Sequence, residues 1–443
     1  MSAIPPASGY PASNPLRWVP SLYFVQGLQF FVVNRIAGFM LKNMGVDNDL
    51  ITWWVGLIGW AWVIKPVWSP FLEMMPSKKR IVVVMQFCSA AGLGLMALAL
   101  QLPMWFAAVI ALLFLLAYVS ATHDIACDGL YMAALDNKRQ AAYAGWQGAF
   151  FNSSKFLVLG GLLVLAGHLE KSVGMSRAWS LVFLMLAALL ALLAGYNAYA
   201  LPGHANSREG QVTVKETWRT LCEVVADFVK KPGVWMAMLF ILLFRLSEGQ
   251  TQTVGPLFLI ESRAKGGLGL TTEQVGGVYG TVGTLAFLVG SILGGYFTAM
   301  LSLRRAMPLL ILAMVVPSAM FYYLSAALPQ DLLRIGAAVA VENFAWGFGF
   351  VGVILFIMQV VAPGRYQTAH YALGSGVMQL GLTVPTGVSG SIQLAMGYEH
   401  FFLWTIACGA PALLLYFFVR FPQAQVVAAP DAAPQASALP AGR

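Results

Sequence analysis

Nine consecutive residues carry the most pointed chemistry of this chain: His123-Asp124-Ile125-Ala126-Cys127-Asp128-Gly129-Leu130-Tyr131. They close an apolar run that begins near Met104. Asp124 and Asp128 are four residues apart, a spacing that puts both carboxylates on one face of a helix. In a bilayer-spanning helix a carboxylate is costly unless it is paired or hydrated, so it is by default a functional candidate. Two on one face imply a polar cavity through the membrane. They repel each other unless one is protonated or a cation lies between them. A carboxyl group that loads and releases a proton near neutral pH is what proton-coupled transport requires. Lys65 or Lys155 could approach once the proton leaves, exchanging one neutralising partner for another. His123 adjoins the pair, but successive helical residues point about 100° apart. The sequence therefore leaves open whether His123 faces the cavity or hydrogen-bonds in a helix contact.

The elements that must position these groups are membrane helices. Of 443 residues, 59% are hydrophobic and only 10% charged, and the mean hydropathy is +0.74. A soluble domain carries about 25% charged residues. The net charge of +8 would suggest nucleic acid for a soluble protein; in a membrane protein basic loops set orientation, and no nucleic-acid partner is expected. Cys88, Cys127, Cys222 and Cys408 are scattered without metal or disulfide spacing. There is no nucleophile elbow and no His/Cys cluster, so no enzyme, metal or cofactor is expected. Met1 to Pro20 lacks a basic region followed by an apolar core, and the first helix is expected to serve for insertion.

Twelve apolar spans follow, at about 18–41, 49–74, 80–101, 103–135, 141–168, 177–200, 232–261, 272–300, 304–328, 333–362, 367–395 and 399–421. Each is long enough for a hydrocarbon core that needs about 20 helical residues. Most loop lysines and arginines, among them Lys78, Lys79, Arg80, Lys138 and Arg139, fall on one side. The positive-inside rule then places both termini in the cytoplasm. The longest loop, 201–231, divides the spans six and six, and within it Trp218, Leu221, Val225 and Phe228 repeat at helical spacing. That predicts an amphipathic helix at the cytoplasmic interface. The expected organisation is a cytoplasmic tail (1–17), a six-helix bundle (18–200), the linker (201–231), a second bundle (232–421) and a disordered Ala/Pro/Gln-rich tail (422–443). Gly276/Gly280 and Gly290/Gly294 read as small-residue helix contacts in the eighth span.

The halves repeat each other weakly. Arg139-Gln140-Ala141-Ala142-Tyr143-Ala144 opens the fifth span, and Arg365 followed by Gln367-Thr368-Ala369-His370-Tyr371-Ala372 opens the eleventh. Six plus six spans joined by a long loop resembles the major facilitator plan, an all-α membrane fold of twelve transmembrane helices in two bundles around a midplane site. In that architecture the first, fourth, seventh and tenth helices line the cavity. Here those helices carry Arg35, Asp124 with Asp128, Arg245 with Glu248, and Glu342; Lys65 and Lys155 lie in the second and fifth. Buried ionisable residues in a membrane are functional by default, although they also pair structurally. Arg245 and Glu248, three residues apart, can pair directly. The expected roles are proton coupling for Asp124, Asp128 and Glu342, substrate binding for Arg35, Lys155, Arg245, Glu248 and Trp346, and structure or gating for Lys65, Glu73 and His123. Trp346 at cavity depth could stack on a sugar ring; the crowded aromatics Trp53, Trp54, Trp60 and Trp62 read first as belt or packing residues.

His123-Asp124-Ile125-Ala126-Cys127-Asp128-Gly129 resembles the Gln-Asp-Ile-x-x-Asp signature of the AmpG muropeptide permeases and their relatives, the acetyl-coenzyme A transporters. Lys65-Pro66-Val67-Trp68-Ser69-Pro70-Phe71-Leu72-Glu73 is similar to a second family motif, Lys-Phe-x-Trp-[Ser/Ala]-Pro-x-x-Asp. Phe244-Arg245-Leu246-Ser247-Glu248 and Val341-Glu342-Asn343-Phe344 resemble two more, and Lys155 falls where the family has a basic residue. His123 stands in place of the family's Gln, and Glu248 in place of its Asp. The resemblance, over about 18–421, implies a monomeric transporter of the bacterial inner membrane. Its partners would be protons, the bilayer and a small molecule: an anhydromuropeptide or related amino-sugar oligosaccharide imported for cell-wall recycling. Import of a siderophore or acyl-coenzyme A, or a non-transporting receptor on the same fold, are the alternatives.

Overall fold

A computed structural model describes residues 14–421 except 74, 76, 136, 204–213 and 365; it leaves undescribed the side chains of 70, 73, 137, 138, 140–142, 144, 145, 214–217 and 368. The expected tail 422–443 and the Glu73 side chain lie outside these limits. Among the described residues all regular structure is helical, the form in which a single segment satisfies its own backbone polar groups inside lipid.

Among the described residues ten helices are long and apolar enough to cross a membrane. They include the first span (Pro15–Asn43), the second (Asn48–Val67), the fourth (Trp105–Ala134), the fifth (Trp146–Val173), the eighth (Thr272–Leu301) and the tenth (Leu332–Val361). Two places account for the difference from the twelve apolar runs of the sequence. The seventh run forms two shorter helices, Val234–Phe244 and Leu246–Ile260, that meet at Arg245. Ala369–Tyr416 is one stretch of 48 residues, kinked at Gly397, where φ is 74° and ψ 168°. Glycine reaches that backbone region without a steric penalty, and the eleventh and twelfth runs lie on either side of it.

The two halves of the chain meet along two seams, the second span against the eleventh and the fifth against the eighth. Both seams are built on small residues that let backbones approach, the packing used where lipid offers no hydrophobic drive between helices. A Cβ on Gly56 would lie 2.6 Å from the Gly387 Cα. At the other seam a Cβ on Gly280 would overlap the Leu159 carbonyl, and one on Gly276 would lie 2.7 Å from the Val164 amide nitrogen. Within the second half, Gly290 and Gly294 face the backbone of Phe344 and Phe348, which fixes the tenth span against the eighth.

Four helical segments widen to π geometry: Val32–Ile36, Phe156–Leu162, Gly276–Gly283 and Ile357–Val361. Such bulges recur at functional sites. Arg35 lies inside the first and Lys155 immediately precedes the second.

The seams yield a stability prediction. Gly280→Leu should lower the unfolding free energy of the detergent-purified protein by about 1–3 kcal/mol or more, the usual range for overpacking. Leucine at Gly277, where a Cβ meets nothing within 4 Å, should leave the thermal midpoint within a degree or two of the parent, roughly the surface-substitution range. Equal melting of the two variants would contradict the close approach.

Candidate functional site

The first-half cluster is built on the fourth span. Lys65 Nζ lies 2.5 Å from Asp124 Oδ2, and Gln26 of the first span donates to Asp124 Oδ1. One turn on, the Tyr23 hydroxyl donates to Asp128 Oδ1 at 3.1 Å and accepts from Gln147 Nε2 at 2.8 Å. Asp128 is exposed, whereas Asp124 is half-buried beneath its partners. The ion pair can form because the second span ends in a tight turn at Lys65–Val67, which brings the lysine alongside the fourth span.

His123 points elsewhere. It is fully buried, with Nε2 2.9 Å from Gln86 Nε2 and Cys127 Sγ 3.4 Å away. Gln86 accepts from Asn197 at 3.1 Å, and Asn197 accepts from Ser21 at 2.6 Å. This chain of bonds ties the third, fourth, sixth and first spans together on the face away from Lys65.

A second cluster spans the boundary between the halves. Arg35 Nη1 donates to the Gln252 carbonyl at 2.7 Å, linking the first span to the seventh. Gln252 Nε2 donates to Glu342 Oε1 at 2.6 Å, and Gln252 Oε1 accepts from the Tyr279 hydroxyl at 3.0 Å. Asn343 donates to the other oxygen of Glu342. Lys155 is only 3% exposed, and among the described residues its ammonium has no hydrogen-bond partner. It lies 4.4 Å from the ring centre of Phe287 and 4.7 Å from that of Trp346. The Arg35 guanidinium lies 5.8 Å from the same Trp346 ring. Lys155 therefore belongs with Glu342 and Trp346, and Lys65 is the lysine brought to Asp124.

Arg245 and Glu248 form a two-pronged pair, with Nε to Oε2 at 2.8 Å and Nη2 to Oε1 at 2.5 Å. Trp346 Nε1 adds a bond to Glu248 Oε1 at 3.0 Å. With three donors already on its carboxylate, Glu248 serves first to orient Trp346.

Other bonds between the halves gather at one end. Lys42 pairs with Glu261, and the Thr272 hydroxyl accepts from Asn43 and donates to Glu170, both at 2.7 Å. Lys171 pairs with Glu273 at 2.6 Å, and Asn48 donates to Gln393 and Tyr398 at 2.8 and 2.7 Å. The Lys42 and Glu261 side chains are 8% and 11% exposed. Sequence reasoning passed over these residues because they lie at span ends, where charges are unremarkable. It also passed over Gln26, Gln252 and Tyr279. A signal existed: Gln252 lies four residues after Glu248, on the same helix face.

A family model settles what these helices belong to: that of the Major Facilitator Superfamily matches residues 21–390. The chain belongs to the Major Facilitator Superfamily. It is 26% identical over 411 residues to the anhydromuropeptide permease of Escherichia coli (strain K12), covering 90% of this chain and 78% of that one. It is 23% identical over 410 residues to a putative transporter AmpG 4 of Rickettsia conorii, covering 90% and 95%. A crystal structure of the nucleoside transporter NupG superposes with a TM-score of 0.67 at 15% identity, covering 91% of this chain and 98% of that one. A bacterial homolog of the human lysosomal transporter Spinster, inward-facing and occupied, gives 0.71 at 12%, covering 93% and 97%. Like these major facilitator proteins, the chain is a multi-pass membrane transporter and not an enzyme, and it is related to the anhydromuropeptide permease.

The Arg245–Glu248 pair gives a test of the site's construction. Breaking a buried pair by removing one partner costs about 3–5 kcal/mol, while replacing both with apolar residues of similar size is often neutral. Arg245→Met should therefore melt well below the parent in detergent, and Arg245→Met with Glu248→Leu should recover much of the loss. A double variant no better than the single would show that the two charges act independently.

Proposed function

We propose that this transporter imports an anhydromuropeptide, or a related amino-sugar oligosaccharide, across the bacterial inner membrane, driven by protons and working by alternating access. The observation that carries this reading is Lys155, a buried ammonium without a hydrogen-bond partner, set among ring faces beside Arg35. An anionic sugar derivative supplies what that setting lacks: a carboxylate for the cations and an apolar ring face for Trp346. Buried charge-assisted hydrogen bonds are the strong ones, and a guanidinium can grip a carboxylate with two at once. The relation to the anhydromuropeptide permease supports the substrate class.

In this reading both termini are cytoplasmic and the chain divides into two bundles, 18–200 and 232–421, joined by the linker. The end sealed by Lys42–Glu261 and Lys171–Glu273 is then periplasmic, and the conformation is open inward. Asp128, exposed here, would release its proton to the cytoplasm. Asp124 would exchange a proton for Lys65: protonated when the cavity faces outward, paired with the ammonium when it faces inward. Glu342 holds the equivalent position beside the substrate.

Reconstituted protein tests both parts. Gradient-driven uptake of GlcNAc-anhydro-MurNAc should exceed that of chito-oligosaccharides, siderophores or coenzyme A; no flux of any candidate through folded protein would instead favour a receptor. Asp124→Asn should abolish accumulation against a gradient yet retain counterflow, and Glu342→Gln should do the same if it couples. Full gradient-driven accumulation in Asp124→Asn, Asp128→Asn and Glu342→Gln alike would remove proton coupling from these groups. Arg35→Lys keeps the charge but loses the fork, and should weaken substrate binding by roughly 10–100-fold, the worth of about 1.5–3 kcal/mol for a hydrogen bond to a charged group. Unchanged affinity in Arg35→Lys and Arg35→Ala would make Arg35 purely structural.

A further inference from the structure

A cleft of about 220 Å³ lies between the start of the seventh span, the end of the tenth and the end of the last helix. Its walls are apolar, formed by Val234, Ala237, Val360, Val361 and Val419, and two cations, Lys231 and Arg420, stand among them with no acidic residue in the lining. Lys231 Nζ donates to three successive carbonyls, those of Val361, Ala362 and Pro363, at 2.8, 3.3 and 2.7 Å. It thereby fastens the end of the tenth span to the beginning of the seventh. Burial pushes the Lys231 ammonium below its ordinary range, against the pull of Asp227. Asp227 itself is half exposed and lies 3.6 Å from His370. The helix Val234–Phe244 begins at Gly233 with no side-chain cap, leaving backbone N–H donors of the kind that bind phosphate. Beside the cleft the surface turns strongly apolar: Trp235, Phe417 and Phe418 are 66%, 74% and 70% exposed.

We infer that this cleft binds an anionic phospholipid, with its phosphate between Arg420 and Lys231 and its acyl chains running over Trp235, Phe417 and Phe418. Basic pockets between membrane helices at the level of the headgroups favour such lipids. The phosphate chemistry alone would also suit a free phosphate ester. The adjoining exposed aromatic surface, continuous with lipid-facing helix, selects the lipid. Lys231 already gives its three N–H bonds to carbonyls, so it would act on the phosphate through its charge, while Arg420 supplies the hydrogen bonds. The lipid thus becomes a brace across the junction of the linker with the seventh span.

The test uses the full chain, purified, stripped of lipid, and titrated with dioleoylphosphatidylglycerol, dioleoylphosphatidylcholine or glycerol 3-phosphate. Thermal midpoint and lipid retained in native mass spectra are read. Phosphatidylglycerol should raise the midpoint and remain bound in preference to phosphatidylcholine. Arg420→Gln, an exposed position, should cut that preference about fivefold, the equivalent of about 1 kcal/mol for one cation at a lipid surface. Ala237→Phe should fill the cleft and remove the retained lipid without changing either cation. If Ala237→Phe does not fold, Arg420→Gln decides alone. Equal binding of the two lipids by the parent protein overturns the inference, as would occur if residues 422–443 filled the cleft. An undiminished preference in Arg420→Gln also overturns it. A shift from glycerol 3-phosphate as large as that from phosphatidylglycerol would mark a soluble-anion site instead.

Discussion

A charge inside hydrocarbon must have a partner, and the structure can be read as a set of answers to that demand. Asp124 is met by Lys65 and Gln26. Arg245 and Glu248 meet each other, with Trp346 as a third member. Glu342 is met by two amides, and Arg35 by a backbone carbonyl. Lys155 is met by ring faces and, among the described residues, by no hydrogen-bond acceptor. Contacts of that kind are worth about 0.5–2 kcal/mol, little against the several kcal/mol that desolvating an ion costs. Compensation is therefore weakest at Lys155, and in the proposed reading a ligand supplies there what the protein leaves unmade.

In the proposed reading the same economy lets the halves separate. Their long seams are made of glycines and neighbouring backbone, held by close packing without a hydrophobic drive, since lipid tails are as apolar as the side chains. The bonds of higher directionality, from Lys42–Glu261 to Asn48–Tyr398, gather at one end. In the proposed reading, an interface closely packed along its length, with its directional polar ties gathered at one end, can pivot, because the ties exchange for water when they open. Buried ties along the whole seam would forfeit that exchange.

Much of this fold was legible in the sequence because a membrane span writes its length and hydropathy directly into consecutive residues. Gly276, Gly280, Gly290 and Gly294 were legible too, since i, i+4 spacing alone places them on one face. The seventh span was the hard case: Arg245, Glu248, Gln250 and Gln252 interrupt it, and the helix breaks at Arg245. The site was legible as a collection of charges and not as an arrangement. Nothing local tells Asp124 that its partner is Lys65, 59 residues away, and not Lys155. Gln26 and Gln252 carry no charge to draw the eye, yet each donates to a carboxylate inside a span. His123, next to Asp124 in sequence, lies on the opposite face with Gln86 and Asn197, which the helical angle allowed but did not decide.

Gln252 is where these threads meet. Its carbonyl holds Arg35 of the first span, its amide nitrogen donates to Glu342 of the tenth, and its amide oxygen accepts from Tyr279 of the eighth. An amide in that position reads the protonation state of its neighbour. An ionised Glu342 accepts from both of its amides and presents no donor. A protonated one presents a hydroxyl donor, which the Gln252 amide can meet only by turning its oxygen toward Glu342, and Tyr279 then loses its acceptor. The bond from Tyr279 thus depends on which end of the Gln252 amide faces Glu342, while the backbone carbonyl that holds Arg35 is independent of that turn. Because Arg35 belongs to the first half and Glu342 to the second, this one amide joins the two halves across their boundary.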